Sequence, residues 1–160
     1  MQGTVVEPRA MNLKAVFHFA VNCTNFERSR AFYEALGFRV VWEVPKEGTD
    51  EIAAACGFSR YKIRGALMAL EGEPTLIDLL EWEEPRESGA PYPNIAHLGI
   101  ARIAFHTTDL DADVEALKDL GVEFIGPPAT VAGLGSAGTR FVCFKDPDGA
   151  ILELVEVLDG

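Results

Sequence analysis

The chain is short of cysteines, of cations and of long apolar runs, and each shortage excludes something. Cys23, Cys56 and Cys143 are the three cysteines in 160 residues, and none stands in a Cys-x-x-Cys pair. An odd, scattered set gives no closed disulfide framework, so buried free thiols in a reducing cytoplasm are expected. Lys and Arg number 14 against 25 Asp and Glu, a net charge of −11. A surface this acidic lacks the basic footprint that nucleic acid requires and is repelled by anionic membranes, so neither is expected as a partner. The excess charge favours solubility. Residues 1–13 hold Glu7, Pro8 and Arg9 and no apolar stretch. They read as a flexible tail, neither signal peptide nor membrane anchor. No Gly-x-Ser-x-Gly elbow and no phosphate loop occurs. Gly133-Leu-Gly135-Ser-Ala-Gly138 spells Gly-x-Gly-x-x-Gly but precedes a strand rather than a helix. It reads as a loop, either plain or serving as a lid.

What the chain does have is an internal repeat. His18, Asn25 and Gly37 recur as Arg102, Asp109 and Gly121 at one offset, 102 − 18 = 84. Each copy is an apolar strand, an Asn or Asp helix cap, one helix and Leu-Gly. The far ends match too: Leu76-Ile-Asp-Leu-Leu-Glu81 corresponds to Ile151-Leu-Glu-Leu-Val-Glu156, at an offset of 153 − 78 = 75. The shorter offset is accounted for by a helical insert at 51–57 and loop changes in the first copy.

Pattern and punctuation predict strands over 14–22, 38–44, 61–70, 75–82, 99–107, 139–145 and 150–157, with another starting at 122–124. Helices are predicted after Asn25, over 51–56 and over 110–120. The stretch 126–138 reads as a long loop, and Asp146-Pro-Asp-Gly149 as a tight turn. The order is β-α-β-β-β twice, an α+β domain over 14–157. Module 1 covers 14–83, a Pro-rich linker 84–98, and module 2 99–157.

Matched positions in the two copies carry ionisable groups with apolar same-face neighbours. His18 lies between Val16 and Ala20, Arg102 between Ile100 and Ala104, Asp78 between Leu76 and Leu80, and Glu153 between Ile151 and Val155. Taken singly, each is ordinary: a structural histidine, a surface arginine, two carboxylates on a half-solvated sheet. Four charges directed at one apolar face are costly unless they pair or do chemistry. Phe17, Phe19, Ile103 and Phe105 alternate to the opposite face and are expected to pack under the helices.

Two segments, Glu27-Arg-Ser-Arg-Ala-Phe-Tyr-Glu-Ala-Leu-Gly-Phe38 and Phe144-Lys-Asp-Pro-Asp-Gly-Ala-Ile-Leu-Glu-Leu-Val155, resemble the vicinal oxygen chelate superfamily of glyoxalase I, extradiol dioxygenases and bleomycin-resistance proteins. The resemblance spans nearly all of 14–157. It implies two βαβββ modules in a cupped mixed sheet and a divalent metal (Zn, Ni, Mn or Fe) held by one residue from each of four strands. By position those are His18, Asp78 and Glu153, with Arg102 where the family places a histidine. A guanidinium cannot ligate a metal, and it repels a divalent ion by on the order of several kcal/mol at an effective dielectric of about 20. No tightly bound metal is therefore favoured; if one binds, its ligands are His18, Asp78 and Glu153.

Three functions follow from the resemblance. One is a lyase or isomerase acting on a small oxygenated substrate, neutral or anionic, with His18, Asp78, Arg102 and Glu153 catalytic: a carboxylate moves a proton beside a carbonyl while Arg102 stabilises the oxyanion. The second is a metal-free module that sequesters a small molecule between aromatic walls, for which Trp82, Tyr61, Phe144 and Tyr92 are the candidates. The third is a metal-dependent lyase or dioxygenase. A cytoplasmic homodimer is expected in each case.

Overall fold

A computed structural model describes residues 12–132 and 136–159 of the chain. The tail expected over 1–13 falls almost wholly outside these residues, as do three residues of the Gly133–Gly138 loop, so the lid reading lies outside them too. Module 1 runs β1 (His18–Asn22), α1 (Phe26–Ala35), β2 (Arg39–Val44), α2 (Asp50–Ala55), β3 (Lys62–Ala69) and β4 (Leu76–Glu84). Module 2 runs β5 (Ile103–His106), α3 (Leu110–Asp119), β6 (Ala129–Val131), β7 (Gly138–Lys145) and β8 (Ile151–Leu158). None of the described helices is long and apolar enough to cross a membrane.

The helices begin and end where the sequence places their caps. The Asn25 side chain accepts the Arg28 N–H at 3.0 Å, and Asp109 accepts the Ala112 N–H at 2.9 Å. Both fill orphan donors of a first helical turn. Gly37 and Gly121 follow the two helices at φ 100° and 72°, a region that only glycine enters without cost.

The eight strands form two four-stranded mixed sheets, β1-β4-β3-β2 and β5-β8-β7-β6, each with one parallel pair. The repeat survives in the register. Ala20 lies opposite Asp78 in β1/β4, and Ala104 opposite Glu153 in β5/β8. One core joins the modules. Tyr33, Met68 and Leu79 from the first pack in a continuous cluster with Leu110, Phe144 and Leu152 from the second. The Phe38 and Phe105 rings meet edge-on across the junction, 5.5 Å apart. Polar contacts reinforce it. Tyr33 donates to Asp146 at 3.0 Å, and Arg28 pairs with Asp148 at 2.7 Å, so the β7–β8 turn is tied to α1.

Several sequence expectations are corrected. Strands β1 and β5 start later than predicted, at His18 and Ile103. Each is an edge strand whose sole partner, β4 or β8, begins only at Leu76 or Ile151. Before His18 only the carbonyls of Val16 and Phe17 are bound, by the Thr75 hydroxyl and the Leu76 N–H; the ladder goes no further, their side chains stay exposed, Phe17 at 66%, and Phe17 packs under no helix. The expected loop 126–138 contains β6, a three-residue edge strand paired with β7 and hidden among prolines and glycines. Cys23 and Cys143 are buried free thiols, but Cys56 caps the short α2 and is exposed.

Candidate functional site

The matched first-strand positions come together. His18 on β1 and Arg102 just before β5 line one cavity of about 550 Å³. Phe19, Tyr92, Ile100 and Ile151 supply much of its apolar wall. Neither matched carboxylate lines this cavity; Asp78 lies near His18 and Glu153 pairs with Arg102, each within its own module.

In module 1 the Asp78 Oδ1 is buried without a hydrogen-bond partner, and burial raises the pKa of the carboxyl while the nearby His18 pulls it part of the way back. A half-buried carboxyl beside an imidazole is a pair suited to holding and moving a proton. In module 2 Glu153, 7% exposed, forms an ion pair with the Arg102 Nε. The Cys143 Sγ stands 3.8 Å from the same carboxylate; burial raises its pKa, and the Glu153 charge adds to the rise. Among the described residues no group of three His, Cys, Asp or Glu side chains is arranged to hold a metal ion. His97, which lies before β5, stacks on Tyr92 at 4.3 Å instead of joining His18.

A second cavity of about 600 Å³ adjoins the first and shares Asn22, Ala90 and Pro91 with it. Trp82 and Phe58 line it, and the linker at 85–91 forms its outer wall. The Trp82 indole N–H donates to Asn22 at 2.9 Å, and its ring tilts against Phe58 at 5.3 Å and Tyr61 at 5.8 Å.

The four candidate aromatic walls therefore separate. Trp82 and Tyr92 line cavities, Tyr61 supports Trp82 from behind, and Phe144 is fully buried in the core. Phe144 is no wall, because its strand β7 is interior to its sheet and this face is packed against Leu152 and the rest of the core. Asn22 and Phe58 escaped the sequence reading. Alternation places Asn22 on the face of His18 and Ala20, which was a usable signal. Phe58 follows the helical insert, and only its tertiary placement brings it to Trp82.

The sequence model of the Glyoxalase/Bleomycin resistance protein/Dioxygenase superfamily matches residues 15–154. An uncharacterised protein of Bacillus subtilis (strain 168), YwkD, is 33% identical over 147 residues, covering 91% of this chain and 99% of its own. A 2-epi-5-epi-valiolone epimerase of Actinomyces sp is 28% identical over 158 residues, covering 91% of this chain and 81% of its own. Among solved structures, TnmS3, an antibiotic binding protein from Streptomyces sp. CB03234, superposes with a TM-score of 0.62 at 26% identity, over 93% of this chain and 100% of its own.

Proposed function

Because the chain belongs to the glyoxalase/bleomycin resistance protein/dioxygenase superfamily, we propose that it is a lyase or isomerase that moves a proton beside a carbonyl of a small oxygenated substrate. The observation that supports this reading is the shared cavity of His18 and Arg102, backed by Asp78 and Glu153. Arg102 has five N–H donors, and its pairing to Glu153 leaves others free for an anionic or enolate-like oxygen. A fixed cation stabilises such an oxygen most where charge develops in the transition state. His18 takes the proton from carbon and returns it, with Asp78 beside it to stabilise the imidazolium. Glu153 acts through Arg102 as a positioning residue. The distant epimerase relative supports proton transfer as the chemistry.

The divalent ion that the fold family implies does not fit this donor set. Glu153, one of its ligands by position, is occupied by a guanidinium that is cationic at every accessible pH. The proton-transfer reading uses protein groups alone.

The test is hydrogen exchange in D₂O, followed by proton NMR, with a panel of α-hydroxy ketones and 2-oxo acids. Wild type is expected to exchange the proton next to the carbonyl of at least one compound, and His18→Gln to slow it by about 10²–10⁴-fold. Exchange that is indifferent to His18→Gln overturns the reading.

A second reading, sequestration without turnover, draws on the preset aromatic group Phe58, Tyr61 and Trp82 and on the antibiotic-binding neighbour. Tight binding with no exchange of any bound compound favours it.

A further inference from the structure

We propose that the second cavity is a subsite for a flat aromatic portion of the ligand, so that the substrate is an aryl compound whose oxygenated head sits at Arg102. This rests on the reading of the head site given above and adds the chemical class of the rest of the molecule.

Three observations carry it. The cavities are neighbours with Asn22, Ala90 and Pro91 in the lining of both, and each holds several hundred cubic ångströms. A substrate confined to the first would leave the second filled only with water. Trp82 is also fixed before any ligand arrives, its N–H bound to Asn22 and its ring braced by Phe58 and Tyr61. An aromatic surface held in this way loses little side-chain entropy when a second ring stacks on it. Finally, Asn22 stands four residues beyond His18 on the same strand face, roughly 13 Å away at strand rise. Asn22 is shared with the second cavity, so a ligand that reaches from His18 to that cavity spans more than a three-carbon acid and suits a two-ring body carrying a carbonyl head.

The proposal is tested by calorimetric titration of the full chain with three probes: pyruvate as head alone, 4-biphenylylglyoxylate as head plus rings, and 4-phenylbenzyl alcohol as rings alone. 4-Biphenylylglyoxylate is expected to bind at least about 30-fold tighter than pyruvate and tighter than the alcohol. Trp82→Ala is expected to weaken it about 10-fold while leaving pyruvate within about twofold, and Trp82→Phe to keep most of the affinity. Gly89 lines the second cavity with an ordinary backbone φ and open space where a side chain would begin. Gly89→Leu therefore adds bulk at the rim of the chamber without straining the loop, and it is expected to weaken the biphenyl probe as Trp82→Ala does. Unchanged biphenyl affinity in both Trp82→Ala and Gly89→Leu, or no binding of the biphenyl probe, overturns the aromatic subsite. Arg102→Met reports separately on the head. If it weakens both acids while the Trp82 and Gly89 variants are silent, the head reading survives and the subsite falls. If it changes neither acid, the head reading fails, and with it this proposal.

Discussion

Arg102 forms an ion pair with Glu153 at the position where its repeat-mate His18 stands beside Asp78. The same backbone frame thus presents a cation bound to a carboxylate in one module and an imidazole near a half-buried carboxylate in the other. The register makes the equivalence concrete, since Ala20 faces Asp78 as Ala104 faces Glu153. This asymmetry within a symmetric frame yields the first prediction.

Arg102→His replaces a repelling cation with a metal donor and frees Glu153. Relief of several kcal/mol of charge repulsion corresponds to a gain of more than about 100-fold in affinity. Titration with Zn²⁺, Ni²⁺ or Mn²⁺ is expected to show saturable one-site binding in the variant, abolished by adding Glu153→Gln, and no such Glu153-dependent site in wild type. Equal binding by both proteins would refute the argument.

Asp78 is expected to cost stability when ionised. Burial raises its pKa in the folded chain, so the folded state binds its proton more firmly than the unfolded chain does. Stability from this group is complete below the unfolded value of about 3.9 and falls as pH rises through the folded value. Asp78→Asn is therefore expected to raise the melting temperature at pH 7 and to give no advantage near pH 3.5. Calorimetry at the two pH values checks it; a variant less stable than wild type at pH 7 would contradict the assignment.

Tyr33→Phe removes the hydroxyl that donates to Asp146, a buried carboxylate that also accepts the N–H groups of Asp148 and Ala150. One lost hydrogen bond to a buried charge is worth about 1–3 kcal/mol. Urea unfolding is expected to show that loss with an unchanged m-value, because both modules still unfold together through their shared core.

Phe144 and Tyr92 were indistinguishable as aromatic candidates in the sequence and are opposite in the fold. Phe144→Ala is expected to cost about 3–5 kcal/mol through the cavity it leaves in the core. Tyr92→Ala, at an exposed cavity rim where it loses the stack on His97, is expected to cost no more than about 1.5 kcal/mol. Denaturant midpoints for the two variants decide it.

The sequence by itself determined the repeat, the helix caps at Asn25 and Asp109, the glycine stops and the matched charges at 18, 78, 102 and 153. These are local features: a cap or a C-terminal glycine acts within one turn, and a period of two marks a strand face without reference to anything distant. Only the tertiary structure decided the rest. Strand length at 14–22 and 99–107 was settled by how far β4 and β8 extend, since a ladder continues only as far as its neighbouring strand does. The division of the aromatics into core, brace and wall depended on which face the neighbouring module covers. That Phe58 meets Trp82, and that the linker lines a second cavity beside the first, follows from packing between segments far apart in the chain, which no local pattern encodes.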